Sequence, residues 1–226
     1  MDITGTLGDV GNILAAASAI GTTSFGLVDS TKASKGGISN AGFGHLSTAV
    51  KGFLPALNVI NPADPLQPLK ANWLNGIAKA EQKAMAKSLV RLGITAATAA
   101  DLARAAPGVD AAVFGAAATK INSGSDLSEQ EANTLGRFDA ILDARMDAGF
   151  ERADQLYRNA SKLLAAVISV TLSIAGVIVI QKGVPAGSDF LLALLIGLLA
   201  TPLAPIAKDI SSALSTTVAT LKSVKG

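Results

Sequence analysis

The feature that most constrains this chain is an apolar stretch from Leu163 to Ile180. Its 18 residues carry no charge, and Lys162 and Lys182 bound it. About 20 apolar residues in an α-helix cross the roughly 30 Å hydrocarbon core of a bilayer. The stretch is apolar on every face, whereas the surface helix of a soluble protein carries a polar stripe. The sequence therefore predicts a transmembrane helix here rather than the core helix of a soluble domain.

A second uncharged stretch follows after a short link. Residues 190–207 read FLLALLIGLLATPLAPIA and lie between Asp189 and Lys208. The link, QKGVPAGSD, is rich in glycine and proline, which end helices. Two apolar helices joined by so short a link predict a transmembrane hairpin over residues 162–208.

A third, more polar stretch lies near the N-terminus. Residues 10–28 carry no charge but are rich in Ala, Gly, Ser and Thr, so their insertion into a bilayer is marginal. A secretory signal begins with basic residues, whereas this chain begins with Asp2 and Asp9 before the stretch. We predict a retained third span within residues 1–30. The alternative is a helix that packs against the others or lies in the membrane interface.

Lysine and arginine near the ends of spans favour the cytoplasmic side. Basic residues follow the first stretch, precede the second and follow the third, whereas only acidic residues precede the first. This distribution predicts a multi-pass protein of the inner (plasma) membrane with its N-terminus outside. Residues 31–161 form a helical cytoplasmic region, and residues 209–226 form a cytoplasmic tail.

The cytoplasmic region is predicted to be all-α. Apolar residues at three- and four-residue spacing between Phe43 and Leu57 indicate one helical face, which suits either the membrane surface or an ordinary core. Residues 61–69 contain three prolines and predict a stiff linker, and a helical stretch follows at about 70–91.

The clearest helix of the region begins after Ser128. Ser128 and Glu131 have the spacing of a capping box. Because no proline occurs again before Pro185, we expect one helix from Glu129 to Gln181 that runs from the cytoplasm into the membrane. A break at residues 159–161 is the main alternative.

Charges divide between two segments of this region. Residues 70–104 are mainly basic and residues 126–154 mainly acidic, so the two segments suit pairing within one subunit or between subunits. Asp139, Asp143 and Asp147 recur every four positions and form a candidate acidic face. Such a ladder suits a divalent cation or a cation vestibule, but a solvated helix face with interleaved arginines is the favoured interpretation, because hard-cation sites draw ligands from several elements.

Small residues recur every four positions in the apolar stretches and form a stripe along each predicted helix. In a bilayer, such stripes let helix backbones approach closely, either within one subunit or between copies. The candidate helix-packing residues are Ala165, Ser169, Ser173, Ala193 and Gly197; in the first stretch, Ala15 with Ala19 and Ala17 with Gly21 have the same spacing. Hydroxyl and amide groups are poor lipid-facing choices, so Asn12, Ser18, Thr22 and Thr23 are the candidate pore-lining or packing residues.

Composition and motifs exclude several function classes. The chain has no cysteine, one histidine and a net charge of +2, which gives no support for thiolate or histidine metal sites or for nucleic-acid binding. No nucleophile, zinc-protease or phosphate-loop motif occurs. We therefore expect no enzyme activity, catalytic residue, metal or cofactor.

The layout resembles that of a group of bacterial inner-membrane proteins with three spans and no established activity. The resemblance lies mainly in residues 128–226, in the acidic helix FDAILDARMDAGFERADQLYR and the last span LLALLIGLLATPLAPIAKDISSAL. That group carries bulky aromatic residues after the proline of the last span, where this chain has Ile206, Ala207 and Lys208. The resemblance implies the three-span layout and no function.

Two function classes remain. The first is a homo-oligomeric membrane protein that forms a pore or a ring-like scaffold through self-association of its spans. The second is a membrane-anchored adaptor whose cytoplasmic helices bind a protein partner while the spans tether it to the lipid bilayer.

Overall fold

The structure is a computed structural model that describes the backbone of residues 3–203 and the side chains of residues 12–203. Within this part the chain is all-helical, as the sequence predicts. The α-helices are α1 (Ile3–Ser30), α2 (Phe43–Val50), α3 (Leu54–Ile60), α4 (Gln67–Leu74), α5 (Lys79–Leu92), α6 (Ala99–Ala105), α7 (Ala111–Ser123), α8 (Glu129–Gln181) and α9 (Ser188–Leu203). The predicted tail, 209–226, and the end of the last span lie outside the described residues.

The chain forms two compact units. One unit, the helical domain, comprises Ser39–Tyr157. The other, the apolar unit, combines residues 3–38 with residues 158–203. The helix α8 belongs to both, because its first part packs in the helical domain and its last part in the apolar unit.

The helical domain has its own hydrophobic core. Three phenylalanine rings lie at its centre: the Phe53 ring meets the Phe138 ring edge-on at 5.8 Å, and the Phe114 ring lies 4.7 Å from it. Trp73 packs against Phe150 and Tyr157, and its indole N–H donates to the Ser39 carbonyl at 2.5 Å. Aromatic pairs of this kind add about 0.5–1.5 kcal/mol beyond burial of their area.

The bounds of α8 agree with those predicted from the sequence. The Ser128 N–H donates to Glu131 Oε2 at 2.7 Å and the Glu131 N–H to Ser128 Oγ at 3.3 Å, so the capping box forms. The helix then continues through residues 159–161 without a break.

The segment between Phe43 and Leu57 packs in the core of the helical domain. Of its two interpretations, membrane surface or ordinary core, the structure supports the core. Leu46, Val50, Phe53 and Leu57 are at most 1% exposed. A 3₁₀ turn at Lys51–Phe53 divides the segment into α2 and α3. The proline-rich linker is shorter than predicted, because Pro68 occupies the first turn of α4, where a missing N–H removes no helical hydrogen bond.

The predicted helix over residues 70–91 is wrong as one element. The Gly76 N–H donates to the Trp73 carbonyl and the Ile77 N–H to the Asn72 carbonyl, and Gly76 has a φ of +67°. These two bonds form the Schellman motif that ends α4. The helix α5 then begins at Lys79.

The apolar unit contains α1, the C-terminal part of α8 and α9. Both α1 and α8 are long and apolar enough to cross a membrane, with mean hydropathies of 1.3 and 2.7 in their most apolar stretches. The helix α9 is shorter over the described residues, although it is apolar throughout Phe190–Leu203 apart from Thr201.

Candidate functional sites

A ladder of four ion pairs joins α5 to α8 within one chain. On α5, Lys79, Lys83, Lys87 and Arg91 recur every four residues; on α8 they meet Glu151, Asp147, Asp143 and Asp139 in that order. Lys87 Nζ lies 2.6 Å from Asp143 Oδ2, and Arg91 Nε lies 2.9 Å from Asp139 Oδ1. The two helices run antiparallel along the ladder, because rising numbers on α5 meet falling numbers on α8.

The ladder accounts for the candidate acidic face. Asp139, Asp143 and Asp147 each bind a basic side chain of α5. Among the described residues, no group of three or more His, Asp or Glu side chains is placed to hold a metal ion. Each exposed pair contributes only about 0–1 kcal/mol to stability. The main effect of the ladder is therefore to orient α5 against α8.

A further ion pair lies at the start of α8. Lys120 Nζ lies 2.8 Å from Glu131 Oε2, the atom that also accepts the Ser128 N–H. The hydrogen bond from Lys120, and after it the one from the Ser128 backbone, lowers the pKa of Glu131 below its ordinary value. One buried carboxylate therefore closes the N-terminus of α8 and binds α7.

Small residues of α8 and α9 meet inside the apolar unit. Ala165, Ser169, Ser173 and Ala193 are buried, and the Ser173 hydroxyl donates to the Ala193 carbonyl at 2.7 Å. At Gly197 a Cβ atom would lie 2.6 Å from the Val170 Cα, so the backbones of α8 and α9 touch there. The five residues with the predicted spacing lie at contacts within one chain.

The helix α1 joins this packing through a second stripe of small residues. Ala17, Gly21 and Ser24 are buried, and the Ser169 hydroxyl donates to Ser24 Oγ at 2.8 Å. Sequence reasoning identified Ser169 but missed Ser24. The spacing from Ala17 through Gly21 to Ser24 was the available signal, because it continues one helical face.

The candidate pore-lining residues lie away from this contact. Asn12, Thr22 and Thr23 are exposed and Ser18 is half-buried. Thr22 Oγ1 donates to the Ser18 carbonyl at 3.0 Å and Thr23 Oγ1 to the Ala19 carbonyl at 2.9 Å. Because their own helix accepts these protons, the threonine hydroxyls can face lipid without an unsatisfied donor.

In the helical domain, the side of α8 opposite the ion-pair ladder carries arginine residues. Arg137, Arg145 and Arg152 have no carboxylate partner among the side chains of residues 12–203. Between the first two lies a shallow groove of about 500 Å³, the alanine groove, lined by Pro107, Arg137, Ala140, Ile141, Ala144, Arg145 and Ala148. Sequence reasoning treated these arginines as interleaved with the carboxylates, whereas the fold separates the two charges.

Over residues 3–203, the fold and these contacts define an all-α chain of two helical units, and two helices of this part have the length and apolarity of membrane spans. Comparisons with protein-family profiles, curated proteins and solved structures found no match to this chain.

Proposed function

We propose that this protein is a membrane-anchored scaffold whose helical domain binds a protein partner on the cytoplasmic side. The observation that carries the proposal is α8, a single unbroken helix that begins in a domain with its own core and ends in an uncharged apolar stretch. Such a helix connects the helical domain covalently to the apolar stretch that we propose as its membrane anchor. The charge distribution around the apolar stretches supports the cytoplasmic side.

Packing inside the apolar unit supports anchoring as the role of the spans. The small-residue stripes of α8 and α9 are used within one chain, and the hydroxyls of Ser169 and Ser173 bind partners there. Large apolar side chains face outward from the same helices, as lipid-facing positions require. These exposed side chains include Leu163, Val167, Val179, Leu191 and Leu195.

The alanine groove is the face that suits a partner. Ala140, Ala144 and Ala148 lie on α8 at four-residue spacing, which allows a partner helix to approach closely. Arg137 and Arg145 lie at the groove, and neither has a carboxylate partner among the side chains of residues 12–203. These two features favour an amphipathic helix with acidic residues beside its apolar stripe.

Site-specific photo-crosslinking of the full chain in cells tests this function. A photoreactive residue at Ala144 is expected to give one adduct with a different protein, whereas the same residue at Thr119, exposed on α7, gives none. Reversal of both groove charges, Arg137→Glu with Arg145→Glu, should abolish the adduct, and Arg104→Glu should preserve it. Absence of an adduct at Ala144, or an adduct with the mass of two copies of this chain, would contradict the adaptor role.

A second candidate function is self-association through α1. The outward side of α1 is small and polar: Ala15, Ala19 and Gly26 are exposed there beside Asn12, Thr22 and Thr23, and a Cβ at Gly26 would meet nothing within 4 Å. Such a face allows close approach of a second helix in lipid and supports a pore or ring.

Disulfide crosslinking tests self-association, because the chain has no native cysteine. Ala19→Cys is expected to give a disulfide-linked dimer in oxidised membranes. Leu195→Cys, on the exposed side of α9, is the matched control that gives none. A monomer for both variants would contradict this candidate.

A further inference from the structure

A cationic groove lies where α2 crosses α8, and two glycines set this crossing. At Gly149 a Cβ atom would lie 2.5 Å from the Ala49 Cβ. At Gly42, which has a φ of +96°, a Cβ would lie 2.2 Å from the Ala153 carbonyl oxygen. Both close approaches require glycine, and a groove of about 250 Å³ lies beside the crossing.

The groove is lined by cations and lacks carboxylates. His45 of α2 and both Arg145 and Arg152 of α8 line it, together with Thr48, Ala49, Ala148 and Gly149. The carboxylates of α8 from Asp139 to Glu151 lie on the other flank, where the ladder neutralises them. Arg145 and Arg152 therefore line one groove, and neither has a carboxylate partner among the side chains of residues 12–203.

The position of Arg145 is restrained before any ligand binds. Its guanidinium carbon lies 5.6 Å from the centroid of the buried Phe53 ring. A cation held over an aromatic face loses less conformational freedom when it binds an anion. Thr48 supplies no donor, because its hydroxyl donates to the Gly44 carbonyl at 2.8 Å. The available donors are thus the two guanidinium groups and the imidazole.

We propose that this groove, the His45 groove, binds a phosphate group. Guanidinium groups present paired N–H donors that match the oxygens of phosphate, and two of them on one face bind a tetrahedral anion from two sides. The imidazole N–H adds a third direction of donation. The phosphate belongs either to a soluble phosphate compound or to the headgroup of an anionic lipid.

His45 provides a direct readout of phosphate binding, because it is the only histidine in the chain. Full-length protein with ¹³C-labelled histidine, in phosphatidylcholine nanodiscs, should give one ring signal. Inorganic phosphate is expected to shift this signal in a saturable manner, whereas sodium chloride at equal ionic strength does not. Arg152→Gln should weaken phosphate binding at least tenfold. Arg104→Gln removes an equal charge from a residue that does not line the groove, and it should change phosphate binding less than twofold.

The two sources of phosphate are distinguished by the composition of the nanodiscs. If the ligand is a lipid headgroup, phosphatidylglycerol nanodiscs without added phosphate shift the His45 signal, and Arg152→Gln abolishes that shift. If the ligand is soluble, only added phosphate shifts it. Absence of a saturable shift in both arms, an equal response to chloride, or equal losses in Arg152→Gln and Arg104→Gln would overturn the proposal.

Discussion

At the scale of single residues, close backbone contacts determine how the helices pack. Gly197 meets Val170 in the apolar unit, and Gly149 meets Ala49 in the helical domain. A glycine inside a helix is less favourable than other residues, yet α8 passes through Gly149 without a break. The sequence could not reveal this role, because a glycine at a helix crossing and a glycine that weakens a helix look alike until the partner backbone is known.

Gly197→Ala tests the contact between α8 and α9. The added methyl would lie 2.6 Å from the Val170 Cα, so the helices must separate, and overpacking of this kind costs about 1–3 kcal/mol. Reversible unfolding in mixed micelles measures the change. Gly176→Ala is the matched control on α8, because its Cβ meets nothing within 4 Å, and it should leave stability unchanged or raise it. Equal destabilisation by both substitutions would contradict the contact.

Glu131→Gln tests the ion pair at the start of α8. Glutamine keeps an oxygen that accepts the capping N–H but removes the charge that binds Lys120. Because the folded-state pKa of Glu131 is lowered from 4.5, its charge stabilises the protein above that pH and loses its effect as the pH falls below it. Urea midpoints should show the wild type more stable than the variant at pH 7, and the difference should shrink below pH 4.5. A difference that does not depend on pH would contradict the pair.

At the scale of elements, charge specifies where α5 docks, and the sequence predicted much of this. The division into a basic and an acidic segment was visible, and the four-residue spacing of Asp139, Asp143 and Asp147 indicated one face. The partner was not visible, because pairing within a subunit and pairing between subunits have the same sequence pattern. The structure places the partner on α5 of the same chain.

A double-mutant cycle on Lys87 and Asp143 tests the ladder. We expect a coupling energy of about 0.2–1 kcal/mol for Lys87→Ala with Asp143→Ala, and this coupling should decline as sodium chloride is raised. The control cycle on Arg104 and Asp101, a highly exposed pair within α6, should give a smaller coupling. A coupling at Lys87 no larger than in the control would show that the ladder does not orient α5.

Element boundaries were predictable where local chemistry fixes them. The capping box at Ser128 and the absence of proline before Pro185 were sufficient for α8. The division between α4 and α5 was missed, although Asn75-Gly76 offered a helix-ending signal, because apolar spacing continued across it. The 3₁₀ turn at Lys51–Phe53 also has a local signal, because Pro55 in the first turn of α3 has no N–H to donate to the preceding turn.

At the scale of the whole molecule, the proposed scaffold depends on the segregation of charge along one chain. The helical domain carries the ladder and the arginine flank, whereas α8 from Leu163 to Ile180 and α9 from Phe190 to Leu203 carry no charge. The sequence predicted this segregation, since the positions of the charged residues along the chain are enough to show it. Contacts between distant residues, such as Ser24 with Ser169, required the structure.

The most direct test of anchoring is the side of the membrane on which two engineered cysteines lie. Ser125→Cys and Ala186→Cys place one thiol before α8 and one after it, in a chain that otherwise has none. In intact bacterial cells, a membrane-impermeant maleimide should label Ala186→Cys, and it should label Ser125→Cys only after the cells are permeabilised. Labelling of both cysteines from the same side, or release of the protein from membranes by alkaline carbonate, would contradict the claim that α8 spans the bilayer.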